Sequence, residues 1–203
     1  GRMGIVTSNS WLDVAYGYEL QRFFLKNFKI IAILESRCEP WFEDAAINTV
    51  VTILERISLK PSPLAGEGKG EGKKEDRNKH LVKFVKIKKR LKDLIPWDMK
   101  MEATRRWGGL DKLVHKVEKA GSEYFKLKGT KVENTLKGIA TYEDDDFRIR
   151  VVQQGELSAN LEFSGKTVKW GQYLRAPDVY FEIMESARVI LCRLKKWQKC
   201  GLE

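Results

Sequence analysis

Long apolar runs are missing from this sequence: none approaches the ~20 residues that a membrane span needs. No signal-peptide pattern opens the chain either, so no membrane contact is expected. Cysteine is sparse, with Cys38, Cys192 and Cys200 the three present. Their odd number argues against a disulfide framework, and their spacing matches no metal site. A reducing cytoplasm is the expected compartment. No two prolines are adjacent anywhere in the chain. Phosphate-loop spacing is absent too. The run Gly66–Gly72 alternates glycine with charge, but residue 67 is Glu and no Ser or Thr follows Lys73.

Acidic residues are also in deficit: 28 Asp and Glu against 38 Lys and Arg leave a formal charge of +10 over 203 residues. The excess is not evenly spread. Residues 1–58 carry six basic and seven acidic side chains, so the remainder holds all of the surplus. A near-neutral first part followed by a basic second part suits a protein that meets a polyanion through the latter. A solvated basic surface that only aids solubility is the plainer alternative.

What is present is organised around Arg2–Arg56. Met3–Asn9, Lys29–Ser36 and Ile47–Glu55 are short apolar, β-branched runs and read as strands buried on both faces. Between the first two, Tyr16–Phe28 places Leu20, Phe23, Phe24 and Phe28 at helical spacing. Strand, helix, strand predicts a right-handed crossover joining strands that point the same way. The third run follows a short connection with no helix, so it should return antiparallel beside the second.

These residues carry a family resemblance. TSNSWLDVAYGYELQRF and AILESRCEPWFEDAAINTVVTILER resemble the fifth motif and the sixth to eighth motifs of adenine-specific DNA methyltransferases of Type IIG and related restriction–modification systems. YEDDDFRIRVV and KWGQYLRAPDVYFEIM extend the likeness, less tightly, toward the segment preceding the family's target-recognition domain. The resemblance implies an α/β fold: part of a Rossmann-like methyltransferase sheet with an antiparallel strand, followed by a basic α+β extension. It implies S-adenosylmethionine as cofactor, double-stranded DNA as partner and the exocyclic amine of adenine as methyl acceptor. The family's Gly-rich cofactor loop and Asn-Pro-Pro-Tyr tetrapeptide do not occur here. The chain therefore reads as a fragment that begins at the fifth strand, and no catalytic residue is assigned to it. Its other partners would be the remainder of the parent polypeptide, or a second copy paired along the bare edge of the first strand.

The resemblance divides the chain into residues 1–58, the C-terminal half of the catalytic fold; 59–78, a Gly/Pro/charged insertion expected to be a loop; and 79–199, the basic extension. It also points to site residues. An extruded adenine needs an aromatic face to stack on, and Phe42 falls where the family's eighth motif supplies one. Trp41 is the alternate, though packing against the sheet is its plainer use. Asn9 and Asn48 cap turns or line the same site.

In the basic part, Lys79–Lys92 holds seven Lys or Arg and no acid. Val82–Ile87 reads as a strand at a sheet edge, where lysines block further pairing. The functional reading makes Lys83, Lys86, Lys88, Lys89 and Arg90 a phosphate-facing stripe. Arg175 is a further DNA contact, or else an ion-pair partner of Asp178 or Glu182. Helices are expected within Asp98–Trp107, over Asp111–Lys119 and from Pro177 onward, the last burying Val179, Phe181, Ile183 or Met184. Strands are expected over Glu123–Leu127 and Phe147–Gln153, the latter with Arg148 and Arg150 on a polar side. Val189–Trp197 reads as a final strand or helix. Glu143–Asp146 clusters carboxylates that can hold a divalent cation. With no second cluster to match, it reads instead as an acidic turn pairing with the nearby arginines, and no metal is assigned. His115 reads as a surface side chain.

Overall fold

The computed structural model describes residues 1–42, 47–57, 77–95, 139–164 and 168–184, with 108, 111, 114–115, 117–119 and 186–187 as short pieces. Expectations for Ser58–Asp76, Pro96–Trp107, Glu123–Leu127 and Val189–Trp197 lie outside the described residues.

The apolar runs do form strands. β1 is Arg2–Ser8, β2 Phe28–Ser36, β3 Thr49–Arg56, β4 Leu81–Ile87, β5 Ile139–Glu143 and β6 Phe147–Gln153. They make one six-stranded sheet in the order β1-β3-β2-β4-β6-β5. β3 lies between β1 and β2 and runs antiparallel to both. β1 and β2 thus point the same way, joined through helix α1, Gly17–Asn27, but they never touch. The sheet is mixed and mostly antiparallel, with β2–β4 its parallel pair. The α/β class and the antiparallel strand are as expected, with more of the sheet antiparallel than the one strand named.

Two strands differ from what their composition suggests. β1 was expected to be buried on both faces, yet Met3 is 44% and Val6 48% exposed, while its place at the edge of the sheet is the expected one. β4 was expected at the edge of this sheet or of a small second one, with its lysines blocking further pairing. It is interior, flanked by β2 and β6, with Val82, Phe84, Val85 and Ile87 buried. Its lysines block no pairing; they occupy the half-buried positions between those apolar side chains.

One face of the sheet, with Ile30, Ile33, Val50, Leu54, Val82, Phe84 and Val152, packs under α1, α3 (Gln154–Ser164) and α4 (Gly171–Arg175). The opposite face gathers Val85, Ile87, Phe147, Ile149 and Val151 around Val117. Each fully buried aliphatic or aromatic side chain contributes roughly 2 kcal/mol of transfer free energy. In α1 the buried set is Gln21, Phe24 and Leu25, while Phe23 is 53% exposed, so the apolar face lies about one residue round from the expected one. Its first residue must be glycine. A Cβ on Gly17 would sit 1.7 Å from the Trp11 carbonyl oxygen, in the 3-10 turn Asn9–Leu12 against which α1 starts. Among the apolar residues named for the helix after Pro177, Phe181 is buried; Val179, Ile183 and Met184 are exposed.

β2 is repaired by a side chain. Its register shifts between Ile30 and Ala32, and pairing with β4 begins only at Ala32. Below that point the buried Gln154 acts as a strand substitute. Its Nε2 donates to Phe28 O at 2.8 Å, and its Oε1 accepts from Ile30 N at 3.0 Å. His80 completes the repair: its Nε2 donates to Ile30 O at 3.0 Å, and its own carbonyl accepts from Gln154 N. Burial pulls the His80 imidazole below its ordinary value, with Lys29 and Lys83 pushing the same way and the Ile30 carbonyl and Glu55 opposing. An unfolded His titrates near pH 6.5. Below that pH the unfolded chain takes up the proton more readily, so stability present above about pH 6.5 is lost as pH falls through the folded value. Unfolding free energy by urea at pH 7.5 and pH 5.5 should drop more in wild type than in His80→Gln. Equal drops would mean that His80 is not linked to folding.

Candidate nucleic-acid interface

Because β6 and β3 run against the others, the carboxyl ends of β1, β2, β4 and β5 meet at one edge of the sheet. In open α/β sheets that edge is where ligands bind. Asn9, Glu35, Lys86 and the start of the β2–β3 connection all lie there.

The connection is pinned at its start. Ser36 Oγ accepts from Cys38 N and Glu39 N, turning the chain as it leaves β2. Arg37 N donates to Ile87 O at 2.9 Å, Cys38 Sγ donates to Lys88 O at 2.5 Å, and Glu39 Oε1 accepts from Leu91 N at 2.7 Å. The first half of this loop is thereby fastened to the end of β4 and to α2, Leu91–Leu94. The two aromatics then separate. Trp41 is half-buried and packs against the Val85–Ile87 cluster. Phe42 is 51% exposed. An exposed ring on a pinned loop is free to stack on a partner, whereas Trp41 already has one.

A row of charge crosses the sheet at this edge. Glu35 on β2 is in register with Lys86 on β4, Lys86 with Arg148 on β6, and Arg148 with Glu143 on β5. Registered residues share a face, here the face under α4. Glu35 is buried and fully engaged. It accepts from Arg175 Nη2 at 2.6 Å and Nε at 3.1 Å, and from Asn9 Nδ2 at 2.7 Å. Arg175 Nη1 also donates to Asp13 Oδ2. Hydrogen bonding to Glu35 raises the Arg175 guanidinium above its ordinary value, against burial. The sequence offered Asp178 or Glu182 as its ion-pair partner; the partners are Glu35 and Asp13 instead. Asp178 belongs to Arg150.

Arg148 and Arg150 share one side of β6, as alternation suggested, and that side is covered by α4. Their donors meet the last carbonyls of α4: Arg148 Nη2 donates to Leu174 O at 2.6 Å, and Arg150 Nη1 to Gln172 O and Tyr173 O at 3.2 Å each. The negative end of a helix needs such donors, and these two arginines let α4 close over the sheet.

The five residues of the expected basic stripe are split. Strand alternation puts Lys83 on the opposite face from Lys86. Lys83 Nζ donates to Glu118 O at 3.3 Å, and burial lowers its ammonium from the ordinary value. Lys88 reaches Asp144 O and Glu143, Lys89 reaches Asp146, and Arg90 pairs with Asp93. The acidic turn therefore pairs with Lys88 and Lys89, where arginines had been expected. Asp144 also caps its own turn, accepting from Asp146 N and Phe147 N. Among the described residues no cluster of side chains suits a metal ion, and no helix is long and apolar enough to cross a membrane.

Glu35, Asp13 and Arg37 belong to this edge and were not singled out from sequence; Arg148 was named there only for its side of the strand. The one local signal was a carboxylate, Glu35, at the end of an otherwise apolar strand.

No protein-family model matches the chain, and no curated protein matches it. Among solved structures it is similar to a chain in one described as the structural basis underlying complex assembly and conformational transition of the type I R-M system, at 11% identity and a TM-score of 0.35. The superposition covers 98% of this chain and 35% of that one, so this chain spans about a third of its neighbour's length. A score this low carries no argument about shared fold or function.

Proposed function

We propose that the chain is part of a site-specific DNA methyltransferase of a restriction–modification system: the C-terminal half of its catalytic fold and the connector toward target recognition. The observation that carries this reading is the arrangement β1-β3-β2, with β3 reversed between two like-pointing strands joined through α1. Phe42 then stands exposed in the β2–β3 connection, where the resembled family stacks its extruded adenine. The parent enzyme would transfer a methyl group from S-adenosylmethionine to the exocyclic amine of adenine. A shallow depression of about 340 Å³ beside α4 does not fit that cofactor: it is lined by Lys169 and Arg175, which repel a sulfonium, and by Asp13, whose carboxylate Arg175 already holds. The role of this chain is then to carry DNA contacts and one wall of the base site.

Titration of fluorescent duplex DNA with the whole chain at several salt concentrations tests this. Affinity should fall steeply with salt, as several phosphate contacts require, and the chain alone should transfer no methyl group. Salt-independent binding, or robust methylation, would contradict the proposal. The bare edge of β1, with Met3 and Val6 exposed, favours a second reading as a non-catalytic assembly module. That edge suits an added strand from the rest of a parent polypeptide or from a second copy. An assembly module without DNA contact would show no salt-dependent DNA binding.

A further inference from the structure

The charged row at the carboxyl edge contains one cation with nothing bound to it. Lys86 stands between Glu35 and Arg148 in register, on an interior strand. Glu35 cannot serve it, because Arg175 and Asn9 already occupy that carboxylate. Among the described residues the Lys86 ammonium makes no hydrogen bond and no ion pair. Burial lowers it from its ordinary value, and Arg148, Arg37 and Arg175 add to the strain while Glu35 opposes.

Arg37 is the second unpartnered cation. Its backbone is fixed to Ile87 O, one residue beyond Lys86, but its side chain is exposed and without a partner among the described residues. Lys86 thus feels three other cations, Arg37, Arg148 and Arg175, while the carboxylate in register with it, Glu35, is held by Arg175, which binds Asp13 as well. Such crowding is unfavourable in the free protein and is relieved by an anion.

We infer that Lys86 and Arg37 form a seat for one backbone phosphate of DNA, and that Arg175 is a positioning residue which occupies Glu35 and Asp13 so that the seat stays positive. This rests on the DNA-binding reading above and narrows it. Lys88, Lys89 and Arg90 of the same basic run are already matched by Glu143, Asp146 and Asp93. Arg37 also opens the connection that carries Phe42. A phosphate held at its base would fix the strand whose base reaches that ring.

The test is duplex DNA binding by the full chain across a salt series, with Lys86→Gln, Arg37→Gln, the double variant, and Arg90→Gln as control. Because the seat holds one phosphate, each seat variant should lower the slope of log K against log salt by up to about one, and the double variant by about one and no more. Arg90→Gln should leave the slope unchanged. Thermal melts should show Lys86→Gln at least as stable as wild type, since it removes a crowded cation. Steep wild-type binding with unchanged slopes in the seat variants would overturn the seat and leave the DNA reading standing. Wild type that binds no DNA would overturn both. A parallel titration with inorganic phosphate alone should show no saturable binding. Tight phosphate binding that Lys86→Gln abolishes without affecting DNA would assign the seat to a free phosphate and overturn the inference.

Discussion

Arg150→Ala should destabilise the protein by roughly 3 kcal/mol, read as a shift in the urea midpoint at unchanged slope. Arg150 is among the largest fully buried side chains, at 0% exposure. Its guanidinium donates to Gln172 O and Tyr173 O at 3.2 Å and to Asp178 at 2.6 Å, and it lies 4.6 Å from the centre of the Phe181 ring. Removing it leaves the Tyr173 carbonyl and the Asp178 carboxylate without that donor, at about 1–3 kcal/mol for each fully buried group, while Gln172 O keeps the bond from Ala176 N. The figure stays near the low end of the buried-pair range because the Asp178 side chain is 57% exposed and can turn to water. For the same reason Asp178→Asn should cost less than about 1 kcal/mol. Arg150→Lys should not rescue the loss, since one ammonium cannot span three acceptors and lie flat on a ring. A loss below about 1 kcal/mol for Arg150→Ala would mean that α4 is held by its apolar contacts alone.

That arginine also marks where reading the sequence stops working. Alternation along Phe147–Gln153 correctly separated Arg148 and Arg150 from Phe147 and Ile149, yet it could not say what that polar side meets. What lies there is the carbonyl end of α4, and nothing local to β6 reports it. The strands β1, β2, β3, β4 and β6 were legible because each is a β-branched apolar run. The order of the first three was legible too, with β3 antiparallel beside β2 and β1 at an open edge; the interior place of β4 was not, since an edge strand and an interior one can share that composition. Helix α3, QGELSANLEFS, and the short strand β5, IATYE, were missed for want of a clear apolar period. At the candidate site, the contrast between a packed Trp41 and an exposed Phe42 could be weighed from sequence. The partnership of Arg175 with Glu35 could not, because 140 residues separate them.

Trp170→Ala is the second large effect, also about 3 kcal/mol, and it asks whether the first 56 residues and the basic part fold together. Trp170 is fully buried. Its ring meets Trp11 edge-on at 5.9 Å and Phe84 at 6.2 Å, so it touches the turn after β1 and the middle of β4 at once. Losing a buried indole costs 3–5 kcal/mol through lost transfer energy and the cavity left behind. The lower end applies because its Nε1 is buried with no hydrogen-bond partner among the described residues, and that penalty disappears with the ring. Trp170→Phe should accordingly lose only about 1 kcal/mol, keeping most of the ring contact while removing the orphaned donor. Amide hydrogen exchange then separates two outcomes. If β1–β3 and β4–β6 form one cooperative unit, Trp170→Ala should lower protection on all six strands by the same free energy. Loss confined to β4 and β6 would show that the continuous sheet joins two units of separate stability, with Trp170 belonging to the second.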